Sequence, residues 1–116
     1  MNLRILAVGV ENYQYPKIVK VTFAENDATA FVNAWTPLAN VVDSVVLLNA
    51  KATHAAMWSQ FKRFAADIAA DDTVVIFYAG HGYRAGDTNY ITCHDTQRGD
   101  IPNTSLKLED MFALLR

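Results

Sequence analysis

The predicted fold is organised around the stretch Asp71-Asp72-Thr73-Val74-Val75-Ile76-Phe77-Tyr78-Ala79-Gly80-His81-Gly82. From Thr73 to Tyr78 its residues are β-branched or aromatic, and all but Thr73 are apolar, which predicts a strand covered on both faces in the middle of a parallel sheet. Glycine on either side of His81 lets the backbone turn sharply and lets other groups approach the imidazole. Since ligands of open α/β sheets bind outside the carboxyl ends of the strands, His81 is a candidate functional residue.

Length and composition indicate a single domain that does not bind nucleic acid. The 116 residues suit one domain, and the apolar content of 52% with only 19% charged residues suggests that a partner covers part of the surface. The net charge is -2, and Lys62-Arg63 is the only basic cluster, so the sequence has no electrostatic footprint for nucleic acid.

The sequence also predicts a cytoplasmic protein that is not embedded in a membrane. No apolar run approaches the ~20 residues that span a bilayer. The single cysteine, Cys93, cannot form an internal disulfide, and no signal-peptide pattern follows Met1. We therefore expect a reducing, cytoplasmic setting.

The chain before His81 alternates strands and helices. The predicted elements that precede the central strand are a strand from Leu3 to Val10, a helix beginning near Asn26-Asp27, a strand from Ser44 to Leu48 and a helix capped by Thr53. The apolar positions at helical spacing are Ala28, Phe31, Val32 and Trp35 in the first helix, and Met57, Phe61, Phe64, Ala65 and Ile68 in the second. This β-α-β-α-β order predicts right-handed crossovers and a mainly parallel sheet.

Beyond His81 we expect a polar loop over 83–89, a short strand from Tyr90 to Cys93 and a loop over 96–103. Thr104 or Ser105 should cap a last helix, whose buried side is predicted to carry Leu108, Met111, Phe112 and Leu115. An alternating chain normally continues from a helix into another strand. We therefore expect a sheet that is incomplete at the C-terminus.

Several segments, in order along the chain, resemble the large-subunit half of caspase-like cysteine peptidases, most closely the metacaspase and bacterial orthocaspase branch. They are Leu6-Ala7-Val8-Gly9-Val10 with Asn12-Tyr13, Ala24-Glu25-Asn26-Asp27-Ala28, the stretch from Asp72 to Gly82, and the Asp95 segment. The resemblance implies a caspase-like three-layer α/β/α sandwich in which residues 1–116 form one p20-type portion. It also implies a cysteine-type endopeptidase.

The resemblance assigns roles to three residues. His81 corresponds to the histidine of a Cys/His dyad, the amide of Gly82 to part of the oxyanion hole, and Asp27 to the S1 pocket. In that branch the pocket accepts Arg or Lys, which agrees with charge complementarity to a carboxylate. The alternatives are a structural histidine at position 81 and, for Asp27, an acid that interacts with the helix dipole, a role compatible with binding.

The nucleophilic cysteine of these enzymes ends the core strand that follows the last helix predicted here. We therefore expect it on a following segment or on a companion small subunit. Cys93 lies twelve positions after His81, matches no nucleophile position of the family, and is predicted to be a buried thiol without a catalytic role. Because the chain ends in Leu114-Leu115-Arg116, a basic-specific enzyme is also predicted to release this end by self-cleavage, although a truncated gene would leave the same ending.

No cofactor and no zinc site are expected. Cys93, His94 and Asp95 are adjacent, and successive strand residues point to opposite faces, so they do not converge on one ion. Several metacaspase relatives require calcium, but their ligands cannot be mapped onto this sequence. The only nearby candidates, Asp87, Asp95 and Asp100, also suit a solvated loop.

Two functions from different classes remain open. The first is the histidine-bearing portion of an endopeptidase that cleaves proteins after Arg or Lys. The second is a non-catalytic caspase-like module whose exposed sheet edge recruits a partner strand. A flavodoxin-like binding domain is disfavoured, because Gly9-Val10-Glu11-Asn12 is a poor phosphate-binding loop.

Overall fold

The computed structural model describes residues 2–116, and its main sheet contains three parallel strands. They are β1 (Asn2–Gly9), β2 (Asn40–Leu48) and β3 (Asp72–Ala79), in the order β2-β1-β3. The register places Leu6 between Val45 of β2 and Ile76 of β3. The expected α/β class with a mainly parallel sheet is therefore confirmed.

The first strand is the most deeply buried element. Leu3 is 1% exposed, and every residue from Ile5 to Val8 is 0% exposed. Because side chains alternate along a strand, Leu6 and Val8 enter one hydrophobic cluster while Ile5 and Ala7 enter the other. The uninterrupted apolar sequence of β1 is thus explained by burial on both faces.

Helices cover both faces of this sheet. Helix α1 (Ala24–Trp35) packs on one face through Ala28 and Val32, and α2 (His54–Asp67) packs on the other through Met57, Phe61 and Phe64. The predicted N-cap of α2 is present, since the Thr53 hydroxyl accepts a hydrogen bond from the backbone N–H of Ala56 at 3.2 Å. The three-layer arrangement is the one expected from the sequence.

The last third of the chain forms a second sheet, which was not expected. Its antiparallel strands are β4 (Gly82–Ala85), β5 (Thr88–Ile91) and β6 (Leu106–Lys107). Two short helices complete this part, α3 (Ile101–Thr104) and α4 (Leu108–Leu115). None of the helices within residues 2–116 has the length and apolar character needed to cross a membrane.

Several sequence predictions in this part were wrong. The segment 83–89, predicted as a loop, is a hairpin that turns at Gly86, where φ is 60°. Most of its side chains are exposed, so no apolar alternation indicated strands, and the strand pairing depends on backbone hydrogen bonds. Strand β5 ends at Ile91, so Thr92 and Cys93 lie beyond it.

The ends of the helices also differ from the prediction. Neither Thr104 nor Ser105 caps α4, because Thr104 ends α3, Ser105 is the C-cap of α3, and Lys107 occupies the N-cap position of α4. Phe112 is 56% exposed and Ile68 is 40% exposed, whereas Leu114 packs against the core. The cap and Ile68 were misassigned because the sequence pattern does not define where each helix begins and ends. Phe112 was misassigned because helical spacing does not show which side a short helix buries.

Strand β3 was predicted in the middle of the sheet, but in the part of the chain described it pairs only with β1 and forms an edge. Its two faces are nevertheless covered, because Ile76 packs towards α2 and Phe77 towards α1. Its apolar sequence therefore reflects burial by helices on both faces, and it does not by itself show that a strand lies on each side.

An ion-pair network joins the three parallel strands. The Arg4 guanidinium of β1 contacts Asp72 at 2.7 Å and Asp43 at 3.3 Å, and Arg63 of α2 contacts Asp43 at 2.7 Å. The hydrogen bond from Arg63 is the main reason that the pKa of Asp43 lies below its usual value. For Asp72 the pKa is lowered mainly by the backbone N–H of Ala69 and then by Arg4.

We predict that Asp43→Asn lowers the free energy of unfolding by about 1 kcal/mol at neutral pH. A carboxyl whose folded-state pKa is depressed stabilises the fold fully above its unfolded pKa of ~3.9, and this stabilisation is lost as the pH falls through the folded value. Urea unfolding of wild type and variant should therefore converge near pH ~2. Asp67→Asn is the control, since Asp67 is half exposed and 3.5 Å from Arg63. If Asp43→Asn lowered the free energy of unfolding equally at neutral pH and near pH ~2, the ionised Asp43 carboxylate would not be the source of the stabilisation.

Candidate active site

His81 lies between β3 and β4, at the carboxyl end of the parallel sheet. Its imidazole Nε2 is 2.7 Å from the backbone carbonyl oxygen of Val19. A carbonyl oxygen only accepts hydrogen bonds, so Nε2 carries the proton. In the neutral ring Nδ1 then holds the lone pair, and the described residues provide no hydrogen-bond partner for it. This arrangement leaves His81 able to accept and return a proton through Nδ1.

The main chain of His81 is held by two hydroxyl groups. The His81 N–H donates to the Tyr13 hydroxyl at 2.9 Å, and the Thr92 hydroxyl donates to the His81 carbonyl oxygen at 2.8 Å. The two hydroxyl oxygens are 2.7 Å apart. Tyr13 belongs to one of the segments that resemble the family, but its contact with His81 was not predicted.

A third hydroxyl, that of Tyr78, closes this network. It lies 2.8 Å from the Thr92 carbonyl oxygen and 3.1 Å from that of His81. Burial raises the pKa of Tyr78 well above its usual range, so the phenol stays protonated and remains a donor. Thr92 itself is 0% exposed. The carbonyl of His81 is thus fixed by groups that cannot exchange readily with water.

The loop that supplies Val19 is anchored at its start. The Asn49 side-chain carbonyl accepts from the backbone N–H groups of Glu11 at 2.9 Å and Asn12 at 3.0 Å. The His94 Nδ1–H donates to the Asn12 carbonyl, and the Gln14 N–H donates to the His94 carbonyl, both at 2.8 Å. These bonds restrict the path of the chain towards Val19. No side-chain pattern could have revealed Val19, since its contribution is a backbone carbonyl.

Gly82 begins β4 opposite Ile91 of β5. The adjacent hydrogen bond from the Thr92 N–H to the His81 carbonyl, 3.1 Å long, identifies Gly82 and Ile91 as a non-hydrogen-bonded pair of the antiparallel ladder. The N–H of Gly82 therefore points away from β5. That direction leaves the amide able to bind a ligand oxygen next to His81.

Asp27 occupies the first turn of α1 with an exposed side chain. A cavity of about 440 Å³ adjoins this turn, and it is lined by Glu11, Thr22, Phe23, Glu25, Asn26 and Thr29. Asp27 is not among the lining residues, and no hydrogen bond or ion pair within residues 2–116 links it to His81. A carboxylate in the first turn of a helix interacts favourably with the helix dipole, which is the alternative role considered for Asp27.

Cys93 is buried in the core beside Leu6 and Val8. Burial is the main cause that raises the pKa of its thiol to about 12, and Asp95 adds to the shift. The thiol is therefore protonated at neutral pH and unsuited to nucleophilic attack.

The acidic residues weighed as calcium ligands have other partners. Asp95 accepts from the His54 N–H at 2.8 Å, Asp100 accepts from the Asn103 amide at 3.0 Å, and Asp87 lies 3.6 Å from Arg84. Within the described residues, no group of three or more His, Cys, Asp or Glu side chains is arranged to hold a metal ion.

We predict that Gly80→Ala destabilises the chain by about 1–3 kcal/mol because the space next to Gly80 is filled. An added Cβ would collide with the Tyr78 hydroxyl and lie 2.8 Å from Tyr78 Cζ and 3.1 Å from the Tyr13 hydroxyl. Gly82→Ala is the matched control, since its Cβ would meet nothing nearer than the Tyr90 carbonyl oxygen at 3.6 Å. Urea unfolding of both variants tests this, and equal losses of stability would refute the steric argument.

Comparison with a solved structure supports the fold assignment. Protein GSU0716 from Geobacter sulfurreducens superposes with a TM-score of 0.77 at 19% sequence identity, over 98% of this chain and 44% of that chain. The present chain thus spans less than half the length of that protein, and the likeness concerns the fold. Among curated proteins, no sequence matches significantly.

Comparison with protein families identifies the chain. The model of the caspase domain, a family of peptidases, matches residues 4–115, which include His81, Gly82 and Asp27. This match supports a protease-type function in general and confirms the resemblance described above. The chain belongs to the caspase domain family.

Proposed function

We propose that this chain is the histidine-bearing part of a cysteine endopeptidase. One observation carries the proposal: the Val19 carbonyl fixes the proton of His81 on Nε2, so that Nδ1 is the basic nitrogen at the carboxyl end of β3. Nucleophilic catalysis by cysteine needs such a base, oriented by a third group.

The nucleophile would be the thiol of a cysteine on a strand that pairs with the open edge of β3. That strand would come from a following segment or a companion chain. Its arrival at the same carboxyl end would bring the thiol towards His81, because neighbouring parallel strands end at the same edge of the sheet. Cys93 is not used, because it is buried and protonated.

The reaction would proceed by transfer of one proton through His81. Nδ1 takes the thiol proton, and the thiolate attacks the scissile carbonyl carbon. The carbonyl oxygen becomes an oxyanion, and the Gly82 N–H donates to it. Nδ1 then gives the proton to the leaving amine as the C–N bond breaks, and water hydrolyses the thioester in a second step.

Selectivity for Arg or Lys would rest on Asp27. Its exposed carboxylate at the start of α1 is available to a guanidinium or ammonium group. Glu11 and Glu25 line the adjoining cavity and add negative charge. Self-cleavage after Arg116, calcium activation and a cytoplasmic location stay predictions.

We predict that His81→Ala abolishes cleavage of an Arg-containing peptide by the protease assembled from this chain and its cysteine-bearing segment. The expected loss of kcat is about a thousand-fold or more, because the dyad loses its base. His54→Ala is the control, since His54 begins α2 and no hydrogen bond within residues 2–116 joins its side chain to the His81 network. Undiminished cleavage by His81→Ala would contradict the dyad. An assembled wild type that hydrolyses no peptide would instead favour the non-catalytic module.

We predict that Asp27→Asn lowers kcat/KM for substrates with Arg at the cleavage site by about ten- to hundred-fold, mainly by raising KM. A charge-assisted hydrogen bond would be replaced by a weaker neutral one. The matched control is Glu109→Gln, an exposed acid in the first turn of α4 that is not among the residues lining this cavity. Equal effects of the two substitutions would indicate a general field of the acidic surface and not a pocket formed by Asp27.

A further inference from the structure

We propose that Tyr13 is a positioning residue for His81, and that its hydroxyl sets the orientation of the imidazole through the main chain. This inference rests on the proposed function for its catalytic consequence. Its structural part can be tested without any activity.

The hydroxyl groups around His81 form a closed ring. The His81 N–H donates to Tyr13, the Tyr13 hydroxyl donates to Thr92, and the Thr92 hydroxyl donates to the His81 carbonyl, with lengths of 2.9, 2.7 and 2.8 Å. All three bonds form together only in this direction, because an N–H must donate, a carbonyl oxygen must accept and the Thr92 hydroxyl has a single proton to donate. Each hydroxyl then donates once and accepts once. The ring therefore holds both the backbone N–H and the backbone carbonyl oxygen of His81 by hydrogen bonds.

The same tyrosine also contacts the imidazole. The Tyr13 and His81 rings have centroids 5.5 Å apart and an interplanar angle of 37°. The backbone carbonyl that receives the Nε2 proton, that of Val19, lies six residues after Tyr13 on the same loop. Tyr13 thus contacts both the backbone N–H and the ring of His81.

Tyr78 cannot replace Tyr13 in this role. Its hydroxyl lies within hydrogen-bond distance of the Thr92 and His81 carbonyl oxygens and of the Thr92 hydroxyl, but the His81 N–H donates to Tyr13 and not to Tyr78. Loss of the Tyr13 hydroxyl would leave that N–H without its acceptor and open the ring. An error of about 1 Å in the position of a reacting group is enough to cost ~100-fold in rate.

The test is Tyr13→Phe, which removes one oxygen and keeps the aromatic ring. In this 116-residue chain, NMR should show nuclear Overhauser contacts between the His81 ring protons and Val19 in the wild type, and these should weaken at least two-fold in the variant. Tyr15→Phe is the control, because the Tyr15 hydroxyl accepts only a 3.4 Å bond from Gln97. Wild-type contact intensities in a folded Tyr13→Phe chain would overturn the proposal.

Thr92→Val opens the ring at its other hydroxyl and should weaken the same contacts. If that variant fails to fold, Tyr13→Phe alone decides the structural question. In the assembled protease, Tyr13→Phe should lower kcat about ten- to hundred-fold while KM changes less than two-fold, since the hydroxyl acts on His81 and not on the substrate. A change confined to KM would contradict a positioning role. An inactive wild-type protease would refute the proposed function but leave the NMR result valid.

Discussion

The burial of β1 is the constraint on which the rest of the structure depends. Both faces of this strand are closed, with Leu6 in one hydrophobic cluster and Ile5 in the other, and both edges are paired. Burial of its apolar side chains is the largest favourable contribution that a sequence of this kind can make. To bury both faces and pair both edges of β1, the chain places a layer of helix on each face and a strand on each side.

This arrangement also determines where chemistry can occur. Strands β1 and β3 run parallel, so the loop after β1 and the turn after β3 meet at one edge of the sheet. Gly9 permits the close approach of α1, because a Cβ there would lie 2.5 Å from the Ala24 carbonyl oxygen. The loop between Gly9 and α1 is thereby brought back over the sheet, where Val19 contacts His81.

The polar groups at this edge divide into two kinds. Thr92 is fully buried and every bond it makes is internal, which gives the His81 main chain a rigid support. The imidazole is only half buried, and Gly82 is exposed. Rigid backbone beneath accessible functional groups is the arrangement that a site requires if it is to bind and position a reacting group. The open edge of β3 lies beside it.

The elements predicted correctly are those whose sequence pattern follows from burial or from a local hydrogen bond. The apolar runs of β1 and β3, the stripes of α1 and α2 and the Thr53 cap each follow from burial or from a local hydrogen bond. The family motif also led to the prediction that His81 is catalytic. The hairpin over 82–91 was missed because its side chains are mostly exposed and its stability comes from backbone pairing. The exposure of Phe112 was missed because helical spacing does not show which side a short helix buries.

From the sequence alone, the α/β class and the order of the elements up to β3 could be predicted, because both depend on local propensity and periodic burial. The role of His81 stays a prediction from its strand-end position and the family resemblance. Which nitrogen of His81 carries the proton, and which residues hold its backbone, became apparent only in the folded structure. Val19, Tyr13 and Thr92 are distant from His81 in sequence, and one acts through a backbone carbonyl that every residue possesses. Interactions between such separated groups exist only after the chain has folded, so no linear pattern records them.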